Sequence, residues 1–94
     1  MTTLPAHHLY HQALAHWGTE AQLSMLIEEM SELTTTICHL LRNRIASDSD
    51  AIIDELADVQ IMLRQVIFAL QLQGSVDLRI QVKLQRLEQR LGGV

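Results

Sequence analysis

An all-α fold, an antiparallel bundle of about four helices assembled into an oligomer, is what this 94-residue sequence predicts. Apolar residues recur at spacings of three and four, and the alternation of a half-buried strand is absent. One proline and four glycines are all that interrupt the chain, which favours long helices joined by short turns. A chain of this length makes one domain, residues 1–94, that leaves much of its surface exposed, and small domains commonly gain stability from disulfides, metals or association. Its single cysteine, Cys38, excludes an internal disulfide, leaving a metal or association to supply that support.

The first helix is expected to begin near Pro5, whose fixed φ suits a first turn, and to stop at Gly18. Thr19, with Gln22 three residues on, forms a capping-box pattern that opens the second helix. Along it Leu23, Leu26, Met30, Leu33, Ile37 and Leu41 mark an apolar stripe that runs to about Ile45. Ser47, Asp48, Ser49 and Asp50 supply a turn and N-cap residues for a third helix reaching about Gln73. That helix is apolar almost all round, with Ile61, Phe68 and Leu72 lying off the main stripe, so it is expected to be buried on all sides. Gly74 would end it and Ser75 would cap a fourth helix carrying Val76, Ile80, Leu84, Leu87 and Leu91. The surplus apolar surface of the third helix predicts a dimer or larger assembly.

Composition excludes several classes of function. A hydrophobic fraction of 48% is too high for a disordered chain, and a net charge of −4 has the wrong sign for a nucleic-acid binder. The longest unbroken apolar run, Val66 to Leu70, is far short of the roughly 20 residues of a membrane span. Before Trp17 there is no lysine or arginine, and four histidines break up the apolar residues, so no export signal is expected. A cytoplasmic protein follows as the expectation. No Gly-rich phosphate loop is present, which removes a P-loop mechanism.

The acids are the informative residues. Glu28, Glu29 and Glu32 sit on the second helix, and Asp54, Glu55 and Asp58 on the third. Carboxylates three residues apart share a helix face, although chance alone gives about one such pair in a chain with 11 acids. Their setting says more. Glu55 lies on the side of Met62 and Val66, and Glu29 flanks the stripe of Leu26 and Leu33, so both should face the cleft between the two long helices. An unpaired carboxylate there is costly, and protonation, basic partners or a cation would offset it. Glu29, Glu32, Glu55 and Asp58 brought together by a short connection are a hard, all-oxygen set suited to Mg²⁺ or Mn²⁺. Di-iron bundles require Glu-x-x-His, which these positions do not hold. The competing reading is of solvated charges beside an apolar seam.

The stretches Leu26-Ile27-Glu28-Glu29-Met30-Ser31-Glu32-Leu33 and Asp54-Glu55-Leu56-Ala57-Asp58-Val59 resemble the MazG family of all-α nucleoside triphosphate pyrophosphohydrolases. Its signature is Glu-x-x-Glu, a variable spacer, then Glu-x-x-Asp. Here the pairs are Glu29/Glu32 and Glu55/Asp58, separated by 22 residues, and the resemblance covers about Trp17 to Leu70. It implies hydrolysis of a (deoxy)nucleoside triphosphate to monophosphate and pyrophosphate, Mg²⁺ held by those four acids, and a homodimer or homotetramer. Glu28, beside the ligand pair, is then a candidate second-metal ligand or water-orienting base. Ser31 stands where relatives often have glycine, and Leu87 replaces an Asn that commonly follows a basic residue matched by Lys83. A phosphoribosyl-ATP pyrophosphohydrolase would share the carboxylates, and a non-catalytic helical oligomerisation module would carry them as surface charge.

Arg79, Lys83, Arg86 and Arg90 form a basic stripe on the fourth helix, and Arg79 and Lys83 are the candidates for holding a triphosphate. Trp17 offers a stacking surface for a base, against the alternative of core or interface packing. His7 and His11 have metal-ligand spacing without a third ligand nearby and read as surface residues. Cys38, in an apolar stretch without an activating base, reads as a buried structural thiol.

Overall fold

The computed structural model describes residues 4–92, so the single-domain reading extends at residues 1–3 and 93–94 beyond the described residues. Three helices follow one another: α1 (Ala6–Leu41), α2 (Asp50–Ala69) and α3 (Gln73–Arg90). No strand occurs among the described residues, in line with the all-α expectation. The count is three where the sequence predicts about four, because α1 runs through Gly18 as a kink. Gly18 has φ 80° and ψ 165°, a region that in practice only glycine occupies, and it divides α1 into arms of residues 6–17 and 19–41. A Cβ at Gly18 would meet nothing within 4 Å, so only the backbone resists substitution. Gly18→Ala is therefore expected to destabilise the chain by about 1–3 kcal/mol, measured by urea unfolding at an unchanged m-value.

The ends of the long helices differ from expectation for a common reason. α1 stops at Leu41, not near Ile45, because Asn43 adopts φ 57°. Its N–H donates to the Leu40 carbonyl (3.0 Å) and that of Arg44 to the His39 carbonyl (2.9 Å), the two bonds of a Schellman cap. α2 ends in the same way at Gln71, also at φ 57°, with Gln71 donating to Phe68 and Leu72 to Ile67, both at 3.0 Å. The expected terminator Gly74 lies instead inside the first turn of α3, and Leu72, not Ser75, occupies the N-cap position. Ser49 does precede α2 as its N-cap residue, but its hydroxyl is buried and unpartnered.

The core lies between α2 and the two arms of α1. Ala13 of the first arm and Ile52, Val59, Met62 and Val66 of α2 are buried, and the rings of Tyr10 and His11 lie 6.4 and 6.0 Å from Phe68. These α2 residues fall on one face, whereas Ile53, Leu56 and Ile61 on the other remain about half exposed. Burial of this helix on all sides is thus not achieved within one chain. α3 makes slight contact with α2 and none with α1, and only Val76 along it is even half-buried. The radius of gyration, 16.2 Å, accordingly exceeds the about 12 Å expected of a compact chain this long. No helix among the described residues is long and apolar enough to cross a membrane.

Candidate metal centre

Helices α1 and α2 pack against each other, and the eight residues between them are few enough to make them antiparallel neighbours. This brings Glu29 and Glu32, one helical turn apart on α1, against Glu55 on α2. Each of the three offers a carboxylate oxygen within 4.8 Å of the others. Glu29 and Glu55 are half-buried and Glu32 is exposed, so solvent reaches the group at Glu32.

Two of its atoms are short of partners. Glu29 Oε2 and Glu55 Oε2 are buried and accept no hydrogen bond. Burial raises the affinity of both carboxyls for a proton above the ordinary value of 4.5. Repulsion adds to this: Glu32, Asp58, Glu55 and Glu28 act on Glu29, and Glu32, Asp58 and Asp54 on Glu55. Nothing cationic among the residues that shift these two groups offsets the charge. Of the three ways to relieve buried carboxylates, the basic side-chain partner is the one that this site does not use.

Asp58 is not among the three acids that converge, since its exposed carboxyl stands outside the 4.8 Å group while still acting on Glu29 and Glu55 through its charge. Glu28 is also exposed and outside it. Ser31, between the two glutamates, donates its hydroxyl to the Ile27 carbonyl (3.0 Å). Thr34, Thr35 and Thr36 likewise donate to carbonyls one turn back, so this run of hydroxyls is engaged with its own helix.

The remaining candidates lie apart from the acids. Trp17 is 50% exposed, its ring edge-on to His16 at 5.0 Å, and it lines an open hollow of about 500 Å³ with Leu9, Gln12, Ala13, His16 and Gln65. At 1.5 Å rise per residue, Gln65 stands about 15 Å along α2 from Glu55. Arg79 and Lys83 are exposed on α3, and because α3 does not touch α1 a single chain does not bring them to the glutamates. Lys83, Arg86, Leu87 and Arg90 line a smaller hollow of about 240 Å³. His7 and His11 are exposed, as expected. Cys38 is exposed, contrary to the buried thiol expected from its apolar neighbours, because α2 covers a different face of α1 at that level.

Gln22 is the polar residue whose placement the sequence did not reveal. Its side chain is wholly buried, and neither Oε1 nor Nε2 has a partner. The capping box with Thr19 is therefore not formed by this side chain. The available signal was its position seven residues before Glu29, which puts both on one helix face. Leaving an amide buried and unpaired costs about 1–3 kcal/mol. Gln22→Met, of similar shape, is expected to raise stability by about that amount, read as a higher urea midpoint.

No protein-family model, curated protein or solved structure matches this chain.

Proposed function

We propose that this protein is a Mg²⁺-dependent nucleoside triphosphate pyrophosphohydrolase of the MazG type, releasing monophosphate and pyrophosphate. The observation that carries the reading is the convergence of Glu29, Glu32 and Glu55, with two buried carboxylate oxygens that lack any donor. Such a set fits a hard divalent cation, because it is all oxygen, negatively charged and accessible at Glu32. The Glu-x-x-Glu and Glu-x-x-Asp pairs and their similarity to the MazG signature supply the substrate class.

In this reading Glu29, Glu32 and Glu55 hold Mg²⁺, with Mn²⁺ as a substitute, and Asp58 joins them from the solvent side. The ion supplies charge screening for the triphosphate and polarises a phosphoryl oxygen. Glu28, exposed beside Glu29, would orient a water molecule or hold a second ion. Half-burial of Glu29 and Glu55 limits water around the ligand oxygens, which strengthens the electrostatic interactions there. Trp17 offers its exposed face to a base. Arg79 and Lys83 serve the phosphates once assembly into a dimer or tetramer carries α3 of a neighbouring copy to the cleft. Control of cytoplasmic (deoxy)nucleoside triphosphate pools is the role that fits this activity.

Pyrophosphate release from a panel of NTPs and dNTPs, with Mg²⁺ and with a chelator, tests the reading. Metal-dependent release is expected, and its pattern across the panel ranks the bases. The absence of turnover throughout would overturn the proposal and favour a helical assembly module.

A further inference from the structure

The most deeply buried side chain among the described residues is a polar one, Gln22, and both its Oε1 and its Nε2 lack a partner. Native interiors rarely leave such a group unpaired, and those that persist have a water, an ion or a function to account for them. Its depth has a local cause. Leu26, Glu29 and Leu33 continue the same face along the second arm of α1, and all three are only half-buried. α3 does not touch α1, so the extra cover over Gln22 does not come from there. Gln22 stands one turn past the bend at Gly18, in the corner where the first arm turns onto α2.

That arm is lightly held. Ala13 is its one buried residue, while Leu9, Gln12, His16 and Trp17 are exposed. Together with Gln65 of α2 these five line the hollow of about 500 Å³, a volume within the range of small-molecule sites. Gly18 joins the arm to the rest of α1 at a positive φ and carries no Cβ, which leaves the joint free to turn.

The amide itself indicates the ligand. A carboxamide is flat and offers an acceptor beside a donor, so its complement is a flat ring edge with a donor beside an acceptor. Nucleobases present such edges, and glutamine reads them through paired hydrogen bonds. Gln22 precedes Glu29 by seven residues, two turns or about 10 Å along one helix face. This matches the span from the phosphates of a nucleotide to the far edge of its base. Trp17, beside the bend, offers a face on which the ring can stack.

We infer that Gln22 is the base-reading residue of this protein: a nucleobase enters the hollow beside Trp17, the first arm of α1 swings about Gly18, and the Gln22 amide pairs with the edge of the ring. The inference takes its ligand class from the nucleotide reading of the glutamates. It accounts for a polar group kept in the core at the expense of stability, because the base supplies the partners that the free protein lacks.

Calorimetric titration of the full chain with AMP, GMP, CMP and UMP, in the presence of Mg²⁺, tests the inference without any turnover. The wild type is expected to prefer one base. Gln22→Met is expected to bind that monophosphate about 10-fold or more weakly, with the preference flattened. Its melting temperature, expected at or above that of the wild type, separates lost binding from lost folding. Two readouts need no variant at Gln22: the side-chain amide resonances of Gln22 and the emission of Trp17, the single tryptophan, are both expected to shift on binding. No binding, no preference among the four bases, an unchanged profile in Gln22→Met, or Gln22 and Trp17 signals that do not move would each overturn the inference. Pyrophosphate release decides the hydrolase reading separately. Turnover with the same base profile in wild type and Gln22→Met leaves that reading standing and removes this one, whereas the expected binding without turnover does the reverse.

Discussion

Mg²⁺ added to the metal-free protein at pH 7 raises its melting temperature by about 10–20 °C when the ion is at about 100 times its Kd, and Glu55→Gln removes most of that rise. Binding to the folded state alone contributes about 2.7 kcal/mol at that concentration, and each kcal/mol moves the midpoint of a domain this small by about 4–8 °C. The expectation rests on Glu29 Oε2 and Glu55 Oε2, which are buried without protein donors and would each gain a partner from a proton or a cation. The proton route sets the pH dependence. Folding raises the pKa of Glu29 and Glu55 above 4.5, so between the unfolded and folded values the native state binds more protons than the unfolded chain. The stabilisation from this source is fully present below about 4.5 and is lost as the pH rises through the folded values. Metal-free protein is therefore expected to lose this contribution on going from acid to neutral pH, and Mg²⁺ to restore stability at neutral pH while acting less in acid, where protons compete for the same oxygens. Differential scanning calorimetry at two pH values, with and without Mg²⁺, reads all of this. A wild type and a Glu55→Gln variant that respond identically to Mg²⁺ would refute a metal site at Glu55.

Turnover should be still more sensitive to the same residues. Changing a group that merely supports a metal ligand costs 10- to 100-fold, so removing a ligand, as in Glu29→Gln or Glu55→Gln, is expected to lower kcat/KM by at least about 100-fold. Asp58→Asn, at a residue outside the converging three, is expected to cost about 10- to 100-fold. The discriminating comparison is the Mg²⁺ concentration for half-maximal rate. A ligand variant shifts it upward, while a variant damaged only in folding loses amplitude at an unchanged midpoint. Equal activity of Glu55→Gln and wild type across an Mg²⁺ titration would rule out Glu55 as a ligand.

The helices and the meeting of Glu29, Glu32 and Glu55 were legible in the sequence because both follow from local spacing. Periodicity places residues on faces, and a short connection makes two long helices neighbours. Helix ends were less legible. Asn43 and Gln71 take left-handed conformations that glycine would advertise, and Gln71 does so three residues before Gly74, where the sequence puts the boundary. Gln22 was misread because the capping-box pattern and a buried face predict different directions for one side chain, and burial prevails here. The exposure of Cys38, and of α3 as a whole, depends on what packs against them. Spacing within a helix shows that α3 has an apolar seam but not which surface that seam meets.

The most direct test of the central claim is phosphorus NMR of nucleoside triphosphates incubated with the protein and Mg²⁺. The account predicts paired appearance of monophosphate and pyrophosphate, dependent on Mg²⁺ and absent with Glu55→Gln. Orthophosphate with diphosphate, or no change in the spectrum, would contradict it.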